Sequence, residues 1–313
     1  MPGPFFDYSL SDTSNMFSIA IHGGAGSLDA AALSPAQEKL YHLGLHTALN
    51  AGYTILQSGG AAIDAVQHAV MQLEDNPLFN AGRGAVFNSD GVQELDAAMM
   101  CGKTLRVGAV AAVTNVKNPI LLARKVMEDP QFVLLVAEGA HNYARKSGIP
   151  MEEMSYFATP ERYQQLQDAK DAHLQKASDT VGAVARDMHG NLAAASSTGG
   201  LTNKKYSRVG DSPVIGAGTY AHNDTCAVCC TGDGEYFIRL VTAHDVAAML
   251  QYQGLTLAEA CDAAIHEKLN ALKGEGGLIA IDFAGNIEMS SNCASMPRGW
   301  VKNEGNLNTA IWM

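Results

Sequence analysis

Two runs decide how this chain folds: Thr180-Val-Gly-Ala-Val-Ala-Arg-Asp187 and Asn191-Leu-Ala-Ala-Ala-Ser-Ser-Thr198, joined by Met188-His189-Gly190. Small and β-branched residues on either side of a short glycine-containing turn predict a β-hairpin. The segment before it has the opposite texture. Thr159 to Asp179 is rich in Gln, Asp, Lys and Ala with hardly any large apolar residue, so it reads as a solvated helix fraying into a linker over 160–179. A rigid strand therefore starts at Thr180, directly behind a soft segment.

Working outward toward the N-terminus, Phe17-Ser-Ile-Ala-Ile-His22 is an apolar run ending in Gly23-Gly24-Ala25-Gly26, which reads as a buried strand feeding a tight turn. Ser34 as N-cap, Pro35 at the first position and Gly59-Gly60 as a stop predict a helix over 35–58. A second helix is expected from Ala61 to Leu73. Glu74 to Gly84 packs Asn, Pro and Gly between apolar neighbours, the chemistry of a shaped loop whose carbonyls could hold a cation. Val107 to Val113 reads as a strand, Asn118-Pro119 as a helix start, and Gln131 to Lys146 as a helix closed by Gly148 and Pro150.

Toward the C-terminus, helices are expected over Glu235 to Tyr252 and Thr256 to Leu272, the latter opened by a Thr256/Glu259 capping box. A hairpin from Leu278 to Ser291, turning through Ala284-Gly285-Asn286, reads as the closing element. Strands in two blocks with helices around them predict one α/β layered domain.

Composition narrows the function. The 313 residues carry 21 Lys+Arg against 32 Asp+Glu, a net charge of −11, which argues against a nucleic-acid or anionic-membrane surface. At 47% hydrophobic and 17% charged the chain is too apolar for disorder, and no run approaches the length of a membrane span. Cys101, Cys226, Cys229, Cys230, Cys261 and Cys293 suit reduced thiols, and with them a cytoplasmic address. Residues 1–16 read as a loose polar leader without the pattern of a secretory signal.

Several familiar motifs fail on spacing. Gly24-Ala-Gly26 places Asp29 where a dinucleotide fingerprint has its third glycine, and Gly102-Lys103-Thr104 has Ala97 where a phosphate loop needs glycine. Cys226-x-x-Cys229-Cys230 lacks a second ligand pair and lies in an apolar strand, so core thiols are expected. His42 and His46 share a helical face without a third ligand.

What remains runs from 179 to 234. Cutting Asp179–Thr180 would leave a hydroxyl beside a free α-amine on a rigid strand, a nucleophile with its own base. An α-amine has a reference pKa near 8 and can accept the hydroxyl proton near neutrality. Alone, Thr180 reads as an ordinary strand threonine. Thr198-Gly199-Gly200 returns a second hydroxyl beside it, Arg208 and Asp211 suit the carboxylate and ammonium of an amino acid, and Thr231-Gly232 follows a strand as an oxyanion hole would. Read apart from that setting, Arg208 and Asp211 are a structural ion pair.

SIAIHGGAG, NPLFNAGRGAVF, TVGAVARD, STGG, SRVGDSP and CTGDGE, in this order from about Phe17 onward, resemble the plant-type L-asparaginase/isoaspartyl peptidase family of N-terminal-nucleophile hydrolases. The resemblance implies a four-layer αββα sandwich and self-cleavage into residues 1–179 and 180–313 of one domain. It further implies a dimer of such heterodimers. It implies Thr180 as nucleophile, Thr198 as its orienting hydroxyl, and Thr231 and Gly232 as the oxyanion hole. Arg208, Asp211, Gly234 and Asn80 would bind substrate, and no catalytic cofactor is implied. The loop residues Leu73, Glu74, Asn76, Phe79, Ala81 and Arg83 match a structural sodium loop that coordinates through main-chain oxygens.

Hydrolysis of L-asparagine or β-aspartyl dipeptides is the activity so implied. Asp179 stands where such asparaginases usually have Gly and is typical of glycosylasparaginases and threonine aspartases, so a glycosylasparaginase-like or protein-cleaving threonine hydrolase is the second expectation. An unprocessed aspartate-binding protein is the third.

Overall fold

The hairpin forms with the boundaries its residues dictate. β5 (Val181–Arg186) and β6 (Leu192–Thr198) run antiparallel with Val181 opposite Ser197. Both strands are buried on both faces, which explains why they read as continuous runs of small apolar residues and not as an alternation. The computed structural model describes residues 16–26, 28–172 and 179–313. The expected leader, apart from Met16, and the linker over 173–178 lie outside the described residues.

β1 (Ser18–His22) flanks β5 and places His22 opposite Gly182, while β2 (Leu95–Cys101) flanks β6 and places Asp96 opposite Thr198. β3 (Val107–Val113), β4 (Leu134–Val136), β11 (Ser295–Lys302) and β12 (Asn308–Trp312) complete an eight-stranded sheet of order β12-β11-β1-β5-β6-β2-β3-β4. A second sheet has the order β10 (Ile287–Ser291), β9 (Gly276–Asp282), β8 (Cys226–Gly232), β7 (Thr219–Ala221).

Strand alternation sorts the core into three slabs. Ile19, Ile21, Ala183 and Ala195 pack on helices α1 (Pro35–Gln57), α2 (Ala62–Asp75) and α3 (Pro119–Glu128). Their neighbours Ala20, Val184 and Ala194 face the other way and meet Ala227, Cys229 and Ile279 between the sheets. Cys230, Leu278 and Ala280 then pack on Val246, Ala260 and Ile265 beneath the second sheet. Helix, sheet, sheet, helix is the expected four-layer αββα order. Among the described residues no helix is long and apolar enough to cross a membrane.

Four expectations are corrected. Gln131 to Lys146 is not one helix: Leu134–Val136 pairs parallel with β3, and α4 spans Ala137–Lys146 after Ala137 turns through a φ of 48°. The β-formers Phe132 and Val133 lead into that edge strand. The helix expected over Glu235 to Tyr252 breaks at Val241, φ 52°, into α7 (Gly234–Leu240) and α8 (Thr242–Ala248), followed by a π-helical turn at Met249–Gln253. The N–H groups of Ala243 and His244 bond to the carbonyls of Ala217 and Gly216, so the loop takes donors that a continuous helix would use. The capping box of Thr256 and Glu259 is present, but α9 (Leu257–Asp262) widens into π turns over Ala263–Leu269. Finally, the β9–β10 hairpin does not close the chain, since β11 and β12 follow it.

Two shorter helices, α5 (Met154–Phe157) and α6 (Pro160–Asp171), precede the hairpin. α6 coincides with the segment expected to be solvated, yet it buries Leu166 and Ala169.

Glycine at 182 lets His22 lie under the head of β5, because an added Cβ would overlap the imidazole Nε2 and sit 3.0 Å from the Cβ of Cys229. Gly182→Ala should therefore cost about 1–3 kcal/mol through overpacking. Gly139→Ala, in α4 with open space around it, should stabilise by about 0.5–1 kcal/mol. Thermal and denaturant midpoints of the two variants check both signs.

Candidate active site

Thr180 is buried where β5 begins, between the two sheets. Its N–H donates to Thr231 Oγ1 at 3.3 Å, and its Oγ1 lies 3.2 Å from Ser212 Oγ. Ser212 is held in turn: its carbonyl accepts from Ser196 Oγ at 3.0 Å and Thr219 Oγ1 at 3.2 Å. β5, β6, β7, β8 and the 208–213 loop thus meet at one hydroxyl cluster.

The carbonyl of Asp179 has two donors, Asn80 Nδ2 at 2.6 Å and Thr198 Oγ1 at 3.2 Å. The Asn80 amide also donates to Gly200 O at 2.9 Å and accepts from Val86 N at 2.9 Å. Gly199 makes room for it, because an added Cβ would come within 2.5 Å of Asn80 Oδ1. These donors point at the oxygen on which charge would develop if Thr180 attacked its own preceding peptide bond.

Asp179 is flanked by groups that its sequence neighbourhood did not reveal. Its side chain lies over Gly24, whose φ of 118° and lack of a Cβ make the space. Arg162 of α6 feels its charge, as does Tyr41, whose hydroxyl burial and Asp179 together push upward in pKa. Arg162 also donates to Gly84 O at 2.6 Å and Leu78 O at 3.1 Å, tying α6 to the 73–84 loop. His22 is fully buried beside the Thr180 backbone, and desolvation lowers it to about 3, so the ring is neutral.

Arg208, Asp211 and Gly234 converge. A Cβ on Gly234 would lie 2.8 Å from Asp211 Oδ1 and 2.9 Å from Arg208 Nη2. The simple ion-pair reading of Arg208 and Asp211 is corrected: Arg208 makes a bidentate pair with Glu235, Nε and Nη2 each 2.7 Å from a carboxylate oxygen. Asp211 is buried with Oδ2 unbonded, and desolvation pushes it up to about 7 against the opposing pull of its own backbone and Arg208. Gly232, φ 133°, sits at the end of β8, where a Cβ would be 2.5 Å from the Cα of Gly276.

In the 73–84 loop, the carbonyls of Leu73, Asn76, Phe79 and Ala81 each accept one backbone bond, from Asn76, Phe79, Ala81 and Gly84, which leaves a lone pair on every oxygen. Gly82 and Gly84 let the carbonyls of Glu74 and Pro77 close in, at 2.5 and 2.6 Å from where a Cβ would stand. This main-chain oxygen set suits a hard cation without side-chain ligands. Arg83 stacks its guanidinium 5.4 Å from the Tyr156 ring. The Glu74 carboxylate turns inward instead, accepting from Ile120 N at 3.0 Å, and burial raises it to about 8.

Cys226, Cys229 and Cys230 are buried in β8, and desolvation raises all three thiols. Among the described residues no group of three or more His, Cys, Asp or Glu could hold a metal ion. His42 bonds through Nδ1 to Thr309 Oγ1 at 2.8 Å, a helix-to-sheet contact.

Layers and site together define the fold of the N-terminal-nucleophile hydrolases. A family model described as asparaginase matches residues 15–311, and the chain belongs to that family. It is 50% identical to an isoaspartyl peptidase of Salmonella typhimurium over 294 residues, covering 90% of this chain and 94% of the relative. It is 44% identical to the isoaspartyl peptidase/L-asparaginase of Rattus norvegicus, with coverage of 94% and 88%. A probable isoaspartyl peptidase/L-asparaginase 2 of Arabidopsis thaliana is 40% identical, with coverage of 95% and 99%.

Ser212, Glu235, Arg162 and His22 were not assigned roles from the sequence. Ser212 and Glu235 lie inside the SRVGDSP and CTGDGE motifs, which was the available signal. Arg162 had none, because its site is reached only through the docking of α6.

Glu74 generates a pH prediction. Its folded pKa lies above the usual carboxylate value, so its contribution is fully present below about 4.5 and is lost as pH rises through about 8. Glu74→Gln removes this titration. Its thermal midpoint should gain on the parent from pH 5 to 8 and hold a constant gap above that, as calorimetry across pH would reveal.

Proposed function

We propose that the chain is made as a precursor, cuts itself at Asp179–Thr180, and then hydrolyses L-asparagine or β-aspartyl dipeptides to release L-aspartate. The observation that carries this reading is the carbonyl of Asp179 held by Asn80 and Thr198 directly beside the buried Thr180 hydroxyl. The named activities of the relatives support the substrate class.

In the first stage Thr180 Oγ attacks the Asp179 carbonyl carbon, and Asn80 and Thr198 stabilise the oxyanion. The C–N bond breaks as the C–O bond forms, and the hydroxyl proton passes to the departing nitrogen. This frees the α-amine, and water then hydrolyses the ester to free the hydroxyl and the Asp179 carboxylate. In turnover the amine takes the hydroxyl proton while Oγ attacks the substrate side-chain amide. The amide C–N bond breaks as that proton passes to the departing ammonia or amine, and water then hydrolyses the aspartyl ester to release L-aspartate and restore the hydroxyl. Thr231 Oγ1, already bonded to the Thr180 nitrogen, and the Gly232 N–H hold the new oxyanion.

Substrate selection follows from charge. Arg208 takes the α-carboxylate in place of the Glu235 carboxylate, and Asp211 with Gly234 takes the α-ammonium. A buried acid with an unbonded oxygen is costly on its own, and a bound ammonium repays that cost. The main-chain oxygens of Leu73, Glu74, Asn76, Phe79, Ala81 and Arg83 hold a structural sodium ion, which takes no part in bond breaking. Two cut molecules assemble as a dimer of heterodimers in the cytoplasm.

Incubation of the purified 33.0 kDa chain should yield pieces of 179 and 134 residues, 313 less 179, about 19 and about 14 kDa in proportion to length. Thr180→Ala should stay whole, and Asn80→Ala should cut about 100-fold to 1,000-fold more slowly. Intact mass and denaturing electrophoresis over time decide this, and a single band throughout for the parent would sink the reading. Asp211 must be ionised to hold an ammonium. Inhibition of the cut enzyme by L-aspartate should therefore weaken as pH falls through about 7, in a titration that Asp211→Asn abolishes.

A further inference from the structure

Asn203, Tyr206 and Ser207 have φ values of 62°, 58° and 51°. Three residues with side chains in the left-handed region within five positions mark a loop that local preference does not hold in place. Arg208 is the next residue.

The anchors of this loop converge on Glu94, which lies just before β2. Lys204, only 1% exposed, donates through Nζ to Glu94 O at 3.0 Å, with Glu94 Oε2 3.7 Å away. The other carboxylate oxygen, Oε1, accepts from Ser207 Oγ at 2.6 Å. Lys204 O accepts from Ser89 N, and Asn203 N donates to Phe87 O, both at 2.9 Å. The Lys204 side chain also covers Gly200, the residue whose carbonyl holds Asn80. A buried ammonium costs desolvation that this ion pair and these hydrogen bonds offset, and the exposed Ser207 hydroxyl is tied to the same carboxylate.

We propose that Glu94, Lys204 and Ser207 are a positioning unit that sets the guanidinium of Arg208 for the substrate α-carboxylate. The proposal rests on the clamp role given to Arg208 under Proposed function. None of the three reaches the reacting atoms, so their effect should appear in substrate capture and not in the chemical step.

The test is steady-state kinetics of the self-cut enzyme on L-asparagine and on L-asparagine α-amide, which lacks the α-carboxylate. Ser207→Ala should raise KM for L-asparagine about tenfold, the worth of one hydrogen bond to a charged group. The value of kcat and the rate of self-cutting should stay within about twofold. On the α-amide, variant and parent should be alike. Ser207→Gly removes the hydroxyl while easing the backbone, so it separates the hydrogen bond from strain and should show the same KM rise. Glu94→Gln should move KM in the same direction. An unchanged KM in Ser207→Gly, or equal losses on both substrates, would overturn the proposal. A parent that cuts itself but leaves asparagine intact would overturn the substrate reading instead, before any variant is compared.

Discussion

Asn80 gives both its amide hydrogens to carbonyls, those of Asp179 and Gly200, and takes one back from the N–H of Val86. A buried carboxamide is stable only when its donors and acceptor are all met, and here the partners come from three separate stretches of chain. The 73–84 loop therefore cannot shift without misaligning the bond before Thr180. Arg162 reinforces the same junction from α6 by holding the carbonyls of Leu78 and Gly84. Around this junction the two sheets are packed with alanine and glycine, which lets Thr180, Thr231 and Ser212 approach within hydrogen-bonding distance.

Charge is arranged at some expense to stability. Glu74, Asp96 and Asp211 are buried carboxyls, each pushed upward by desolvation. A fold selected for stability alone would replace them with apolar groups of similar volume. Glu74 meets an N–H in the first turn of α3, Asp96 accepts from Ala112 N beside Thr198, and Asp211 keeps an unbonded oxygen beside Gly234. On the proposed function, Asp211 is retained for an ammonium partner, and the surrounding packing supplies the stability it forgoes.

What was legible in the sequence was local. Ser34, Thr256 with Glu259, and the turn at 188–190 act on their immediate neighbours, and the element ends they mark fall where they indicate. Val241 and the strand at 134–136 were hidden because distant partners decide them, the carbonyls of Gly216 and Ala217 in one case and β3 in the other. The site follows the same division. Thr180, Thr198, Arg208 and Asp211 stand in compact motifs, and the fold brings them together. Glu235 as the partner of Arg208, Arg162 beside Asp179, and Glu94 beneath Ser207 lie 27, 17 and 113 residues from the groups they serve. No periodicity spans such separations.

The seat of Asp179 over Gly24 has a consequence for timing. The bond to be cut and the hydroxyl that cuts it belong to one chain, so on the proposed reading maturation is a first-order event that dilution cannot slow. Each molecule then carries its own clock, set by how well Gly24, Asn80 and Thr198 hold one peptide unit in place. A fresh population would acquire activity on an exponential schedule fixed by geometry, whatever the amount of protein or substrate around it.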